Sequence, residues 1–180
     1  MKIIKACVLF LFTAALTLSS ASCKQGKSPT MDTMPFTAEA MGKYLYDGPD
    51  SIPNPKCFGE MTAFRVVVDG IGKGSPVGEF RVHFDFCGDS ALHYGNSEAY
   101  LIDSDGDSLL FSVSGQVIPG RLASHPEFVT SYWKDRYEIL GGSGKFEHAS
   151  GYFLSDDYNS SQDLFSHHHW DGIITMKEIE

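Results

Sequence analysis

The sequence predicts an all-β fold, a single antiparallel β-barrel of about eight strands closed on itself. Three observations predict it. From Met61 to Met176 apolar and polar residues alternate with a period of two, in short runs parted by Gly, Asp and Ser. No long stretch in that range carries the 3.6-residue period of an amphipathic helix. Aromatic residues make up 13% of the chain, and their Phe and Tyr excess favours strands. Seven or eight antiparallel strands laid in an open sheet would expose two edges, and closure removes them.

The chain of 180 residues holds one domain with a full core once a leader and a linker are set aside. Residues 1–22 read as an export signal. Met1-Lys2-Ile3-Ile4-Lys5 supplies a positive start, and Ala6 to Leu18 is an uncharged stretch too short to span a bilayer, which needs roughly 20 apolar residues. The residues that follow, Leu18-Ser19-Ser20-Ala21-Ser22-Cys23, resemble the bacterial lipobox. That resemblance implies a lipoprotein signal peptide and a mature chain that begins at Cys23 with lipid on its thiol. The membrane is then the expected partner through that N-terminal lipid. Residue 24 is Lys rather than the Asp of inner-membrane retention, so the expected location is the cell envelope at the outer membrane.

Residues 23–37 are expected to be a flexible tether, polar and interrupted by Gly26, Pro29 and Pro35, and 38–180 the barrel domain. Ala38 to Tyr46 fits either a helical turn or an extra edge strand, and Tyr46 to Pro55 reads as loop. Phe64, Val66 and Val68 begin the alternation. Phe80, Val82, Phe84 and Phe86 give its clearest strand, with one side buried. Ala99–Ile102 and Leu109–Val117 flank an Asp-rich turn, with Leu109, Phe111 and Val113 on one face. Trp133, Tyr137 and Ile139 share a face of the next strand, Tyr152, Leu154 and Tyr158 mark a sixth, and His168, Trp170, Ile174 and Met176 share the parity of a seventh.

Cys57 and Cys87 are the pair left after Cys7 departs with the leader and Cys23 takes lipid. In an oxidising compartment a disulfide is the economical reading, with two separately buried thiols as the alternative. No Cys/His spacing suggests zinc. Asp103-Ser104-Asp105-Gly106-Asp107 lacks the length and distal Glu of a calcium loop and reads as a hairpin turn. In His167-His168-His169 consecutive residues face opposite sides of a strand, so only His167 and His169 could share an ion, and they would need a third ligand from elsewhere. Glu147 and His148 read as solvent-facing neighbours. The sequence assigns no metal site, no cofactor and no catalytic residue.

The formal charge is −9, and loss of Lys2 and Lys5 with the leader takes it to about −11, which argues against nucleic acid as a partner.

Gly141-Gly142-Ser143-Gly144-Lys145-Phe146, continuing to Gly151, resembles the glycine signature of the allene oxide cyclase and dirigent-like barrels, a calycin-like group with bacterial relatives. Glycines let the chain leave one strand, turn tightly while pressing Phe146 on the barrel's end, and re-enter as the next strand at Gly151. Trp170-Asp171-Gly172-Ile173-Ile174 and the Asp-Gly-Asp turn at 105–107 extend the likeness over Met61 to Met176. The resemblance implies an eight-stranded barrel with an apolar interior. It also marks a departure. With Ser75-Pro76 set against the Ser-Pro of the plant cyclases, their catalytic Glu falls on Val67 and their water-binding Asn on Asp69, so cyclisation by that mechanism is not expected.

The sequence therefore leads to an envelope lipoprotein whose barrel is a ligand-binding or interaction module. A small apolar ligand would be lined by Phe80, Phe84, Phe111, Trp133 and Tyr137, or a protein partner would dock outside. The alternative is an isomerase- or cyclase-like enzyme with other catalytic groups, and it requires a titratable side chain inside the barrel. The expectation is that no carboxylate or histidine faces the interior within reach of a cavity.

Overall fold

Alternation of inward and outward side chains sets the architecture, because each strand must turn its apolar parity away from water. The computed structural model describes residues 30–50, 57 and 64–178. The expected leader 1–22 and the lipid-bearing Cys23 lie outside the described residues. The strands are β1 (Met31–Gly48), β2 (Phe64–Ser75), β3 (Gly78–Gly88), β4 (His93–Asp103), β5 (Ser108–Gln116), β6 (Ile118–Pro119), β7 (Val129–Trp133), β8 (Arg136–Gly142), β9 (Ser150–Ser155), β10 (Asp157–Ser160) and β11 (Phe165–Lys177).

All pairings are antiparallel, and the pairing of β1 with both β2 and β11 closes the ring. Three of the walls are single long strands interrupted at one level. Val113 lies opposite Tyr137 and, in unbroken register, Ile118 lies opposite Tyr132, so β5 and β6 continue one another. The same holds for β7 with β8 and for β9 with β10, since Arg136 faces Leu154 and Trp133 faces Asp157. The result is an eight-stranded up-and-down barrel, as the periodicity predicts.

Two local readings are corrected by the structure. Ala38 to Tyr46 is neither a helical turn nor an edge. It belongs to an 18-residue strand that starts at Met31, within the expected tether, and closes the barrel. Its small inward residues Ala38, Ala40 and Gly42 have no strand signature, yet close packing demands the smallest of them: a methyl at Gly42 would come within 2.4 Å of Val68 Cγ1 on neighbouring β2. On β9 the parity is one residue out. Tyr152 and Leu154 face outward, and Phe153, Ser155 and then Asp157 face inward.

The lower end of the barrel is an apolar plug. Phe146, carried by a 3₁₀ turn at Gly144–Phe146, packs with Phe36, Val77, Leu109, Ile174 and Met176 in full burial. Gly141, Gly144 and Gly151 all have positive φ, and a side chain at Gly142 would strike the Ser108 carbonyl. Asp103 is the charged group there. Its Oδ1 accepts the amides of Asp105 and Asp107, and Lys145 from the glycine turn reaches its Oδ2 at 2.6 Å. Burial pushes this carboxyl up, but Lys145 and the two amides outweigh it and hold it below its ordinary range.

Candidate functional site

The upper end of the same interior is polar. Register places its groups in rows on the inner wall. Ser166 on β11 lies opposite Gly42 on β1 and Asn159 on β10, and Asn159 lies opposite Ser131 on β7. One row below, His168 lies opposite Ala40, and Asp157 opposite Trp133. Below that, Ser155 faces Trp170, and the link between β7 and β8 supplies Asp135, whose amide donates to Ser155 Oγ at 3.0 Å.

Asp157 is the hub and is wholly excluded from solvent. Its Oδ2 accepts Trp133 Nε1 at 2.9 Å and Trp170 Nε1 at 3.3 Å, and its Oδ1 accepts the His169 amide at 2.9 Å. These donors have no acceptor capacity, so the carboxylate takes all of them. His168 Nδ1 is 2.8 Å from the same Oδ2 and therefore donates to it. In a neutral ring that tautomer leaves Nε2 as the acceptor. Ser166 Oγ lies 2.9 Å from it, closer than the 3.3 Å to the Gly42 carbonyl. The imidazole is fixed by rings as well as by hydrogen bonds, with Phe84 stacked on it at 4.9 Å and Trp133 edge-on at 5.8 Å. A methyl at Gly42 would approach Ser166 Oγ to 2.5 Å, so glycine there makes room for the pair.

Around the hub stand three phenols. Tyr44, near the mouth, donates to Asn159 Oδ1 at 2.8 Å, and Asn159 Nδ2 donates to Ser131 Oγ at 3.0 Å. Burial raises the Tyr44 hydroxyl, and hydrogen bonding to Asn159 and Ser166 offsets part of that rise. Tyr94 reaches Asp135 across the barrel, and a methyl at Gly115 would strike that carboxylate. Burial pushes Asp135 above its ordinary range, more than its bond to Tyr94 lowers it, and the Asp157 charge adds to the rise. Tyr137 is fully buried. Burial and the charges of Asp157 and Asp135 drive its hydroxyl well upward, against a smaller lowering by the Trp133 indole, so it remains a neutral donor; that indole can only donate, and among the described residues the hydroxyl proton has no acceptor.

The expectation that no carboxylate or histidine faces the interior within reach of a cavity is overturned by His168, which lines a pocket with Ala40 and Phe80, and Asp157 faces the interior beside it. The aromatic residues expected to line a ligand, Phe80, Phe84, Phe111, Trp133 and Tyr137, all point inward, but the first three pack on Trp170 and on one another, with centroids about 6 Å apart. Trp133 and Tyr137 belong to the polar end. His168 was legible, since it shares the parity of Trp170. Asp157 was hidden by the out-of-phase reading of β9. His167 and His169 face outward and stack nearly parallel to the Tyr158 ring, with centroids 4.8 and 5.9 Å away, and no cluster of three metal-ligating side chains occurs among the described residues. Val67 and Asp69, the positions aligned with the plant cyclases' functional pair, have the outward parity, and Asp69 pairs with His83 at 2.6 Å. Glu147 pairs with Lys177, and His148 is exposed. Cys57 and Cys87 are joined in a disulfide beside the upper mouth, with Cα atoms 5.5 Å apart.

No family model matches this chain, and no curated protein does. Among solved structures, a pterocarpan synthase dirigent protein aligns with 92% of this chain and 100% of its own length at 15% identity, with a TM-score of 0.41.

Proposed function

We propose that this chain is a cell-envelope lipoprotein, anchored at the outer membrane through Cys23, whose barrel binds a small ligand at its upper end. The ligand carries an oxygen acceptor on an apolar body. The observation that carries this reading is the Tyr137 hydroxyl, a fully buried donor that has no acceptor among the described residues and stands beside Tyr94, Asp135 and Asp157. An unmet buried hydroxyl costs about 1–3 kcal/mol, which a ligand oxygen would recover. Partly buried Tyr44, Val66, Phe86 and Val117 at that end supply apolar surface for the rest of the molecule.

A second reading, a protein-docking barrel, is favoured by the outer wall. There Met41, Ile71 and Phe165 are exposed around a groove that also includes Arg81 and His83.

Native mass spectrometry of the full-length chain released from detergent tests the first reading. Wild-type protein is expected to carry a bound small molecule and Tyr137→Phe to lose it; apo spectra for both would favour docking. Radiolabelled palmitate incorporation that survives Cys23→Ser would remove the lipid anchor from the proposal.

A further inference from the structure

We propose that Ser166, His168 and Asp157 form a nucleophilic triad that cleaves esters of short, apolar acyl groups, a reading that rests on ligand entry at the polar end of the barrel. The motive is the order of atoms rather than the presence of three residue types. Ser166 Oγ meets His168 Nε2 at 2.9 Å, and His168 Nδ1 meets Asp157 Oδ2 at 2.8 Å. This is the nucleophile–base–orienter sequence that activates a hydroxyl, and it recurs on unrelated folds because only geometry defines it.

The surroundings fit the role. Asp157 accepts two indole N–H groups and a backbone amide as well as the imidazole, so it is locked and positions the ring without acting on substrate. Phe84 and Trp133 prevent the ring from turning. Two donors stand beside the nucleophile: Tyr44 Oη, which interacts with Ser166, and the side-chain amide of Asn159, whose residue lies opposite Ser166 in the strand pairing. Both are bonded to neighbours at rest, and both can turn a proton toward an oxyanion placed next to Ser166 Oγ. The acyl group would lie on Tyr44, Val66 and Phe86, the partly buried residues above Ser166, which limits it to a short apolar chain. Ser166 is 1% exposed, so substrate must part these rim side chains to reach it.

The step balances with water as co-reactant. Ser166 Oγ bonds to the ester carbonyl carbon while its proton passes to His168 Nε2. The tetrahedral adduct collapses, the C–O bond to the alcohol breaks, and His168 returns the proton to the departing alkoxide. Water then adds to the acyl-serine with His168 again taking a proton, and the acid leaves as Ser166 recovers its hydroxyl.

The experiment uses the full-length chain in detergent, a short-chain alkyl fluorophosphonate, peptide mapping, and 4-nitrophenyl butyrate as reporter. The expected result is an adduct on Ser166, absent in Ser166→Ala, formed at least tenfold more slowly in His168→Gln, with ester turnover lost in both. Tyr44→Phe, which keeps the half-buried ring and removes only the proposed oxyanion donor, is expected to lower kcat more than it alters KM, which guards against His168→Gln failing to fold. A folded wild-type protein that takes no adduct on Ser166, or takes it as fast without His168, overturns the inference. If the native spectra still show a ligand in that case, the binding site stands and only the triad falls; if neither appears, both fall.

Discussion

The two ends of the barrel interior exclude water equally but are held by different forces. At the lower end Phe36, Leu109, Phe146, Ile174 and Met176 pack without direction, and the one buried carboxylate, Asp103, is neutralised by Lys145. At the upper end the buried carboxylate Asp157 has no lysine or arginine beside it among the described residues and is satisfied by four N–H groups from β7 and β11. Burial at the lower end is worth about 1.5–3 kcal/mol per large apolar side chain, whatever the ligand state. A hydrogen-bonded array in low dielectric is costly wherever it is incomplete, so only the upper end can change its energy when a ligand arrives. Under the proposed reading, that difference gives the lower end a structural part and the upper end the ligand.

A paired substitution tests the contrast most strongly. Asp157→Ala strands an imidazole, two indoles and an amide, and is expected to cost about 3–5 kcal/mol in urea unfolding, comparable to breaking a buried ion pair. Phe146→Ala at the plug is expected to cost about 3–4 kcal/mol by transfer and cavity terms. Only the first should abolish ligand retention. If Phe146→Ala empties the site as readily, the two ends are one cooperative unit and the division fails.

A smaller effect of opposite sign follows from the orphan phenol. Tyr137→Phe keeps the ring stacked on Phe153 at 4.7 Å and removes only the oxygen. In ligand-free protein it is expected to raise stability by about 1 kcal/mol, read from the urea midpoint. A loss instead would mean that the hydroxyl is already bonded, and the candidate site would lose its best recognition group.

These two ends also differ in how far the sequence disclosed them. The plug was legible: Gly141, Gly144 and Gly151 stand at three of the four described positions of positive φ in that stretch, His148 being the fourth, and Phe146 is the only large apolar residue within the turn. The inward parities of β3, β5 and β11 were legible for the same reason, since a buried face is written in apolar residues. The polar end inverts that code. Inward positions there are Ser155, Asp157, Asn159, Ser166 and His168, which by composition read as surface, while Tyr152 and Leu154 face out. Tyr152 does so because it lies under the Arg136 guanidinium, 3.5 Å from the ring centroid. A strand whose buried face is polar cannot be phased from hydropathy alone. The closing role of β1 is hidden for a related cause: Gly42 is small because Val68, Ser166 and His168 crowd it, a property of the neighbours rather than of the segment.

Asp135 offers the mildest test, and its sign separates the ends. Its carboxyl is raised in the folded protein by burial, so between the unfolded value of 3.8 and the folded one the native state holds more protons than the unfolded chain. Stability from this group is therefore fully present below the unfolded value and is lost as pH rises through the folded value. Asp103 runs the other way. Its folded value is lowered, so its contribution is present above 3.8 and is lost as pH falls through the folded value. Asp135→Asn keeps an acceptor for Tyr94 and removes the buried charge, so it is expected to melt higher than wild type near pH 7 and to lose that advantage by about pH 4. Asp103→Asn is expected to melt lower near pH 7, with the deficit shrinking in acid. Melting curves of the two variants across that range should cross over in opposite senses. Parallel curves would mean that the carboxylates at the two ends sit in equivalent surroundings, against the geometry that places a lysine at one and only neutral donors at the other.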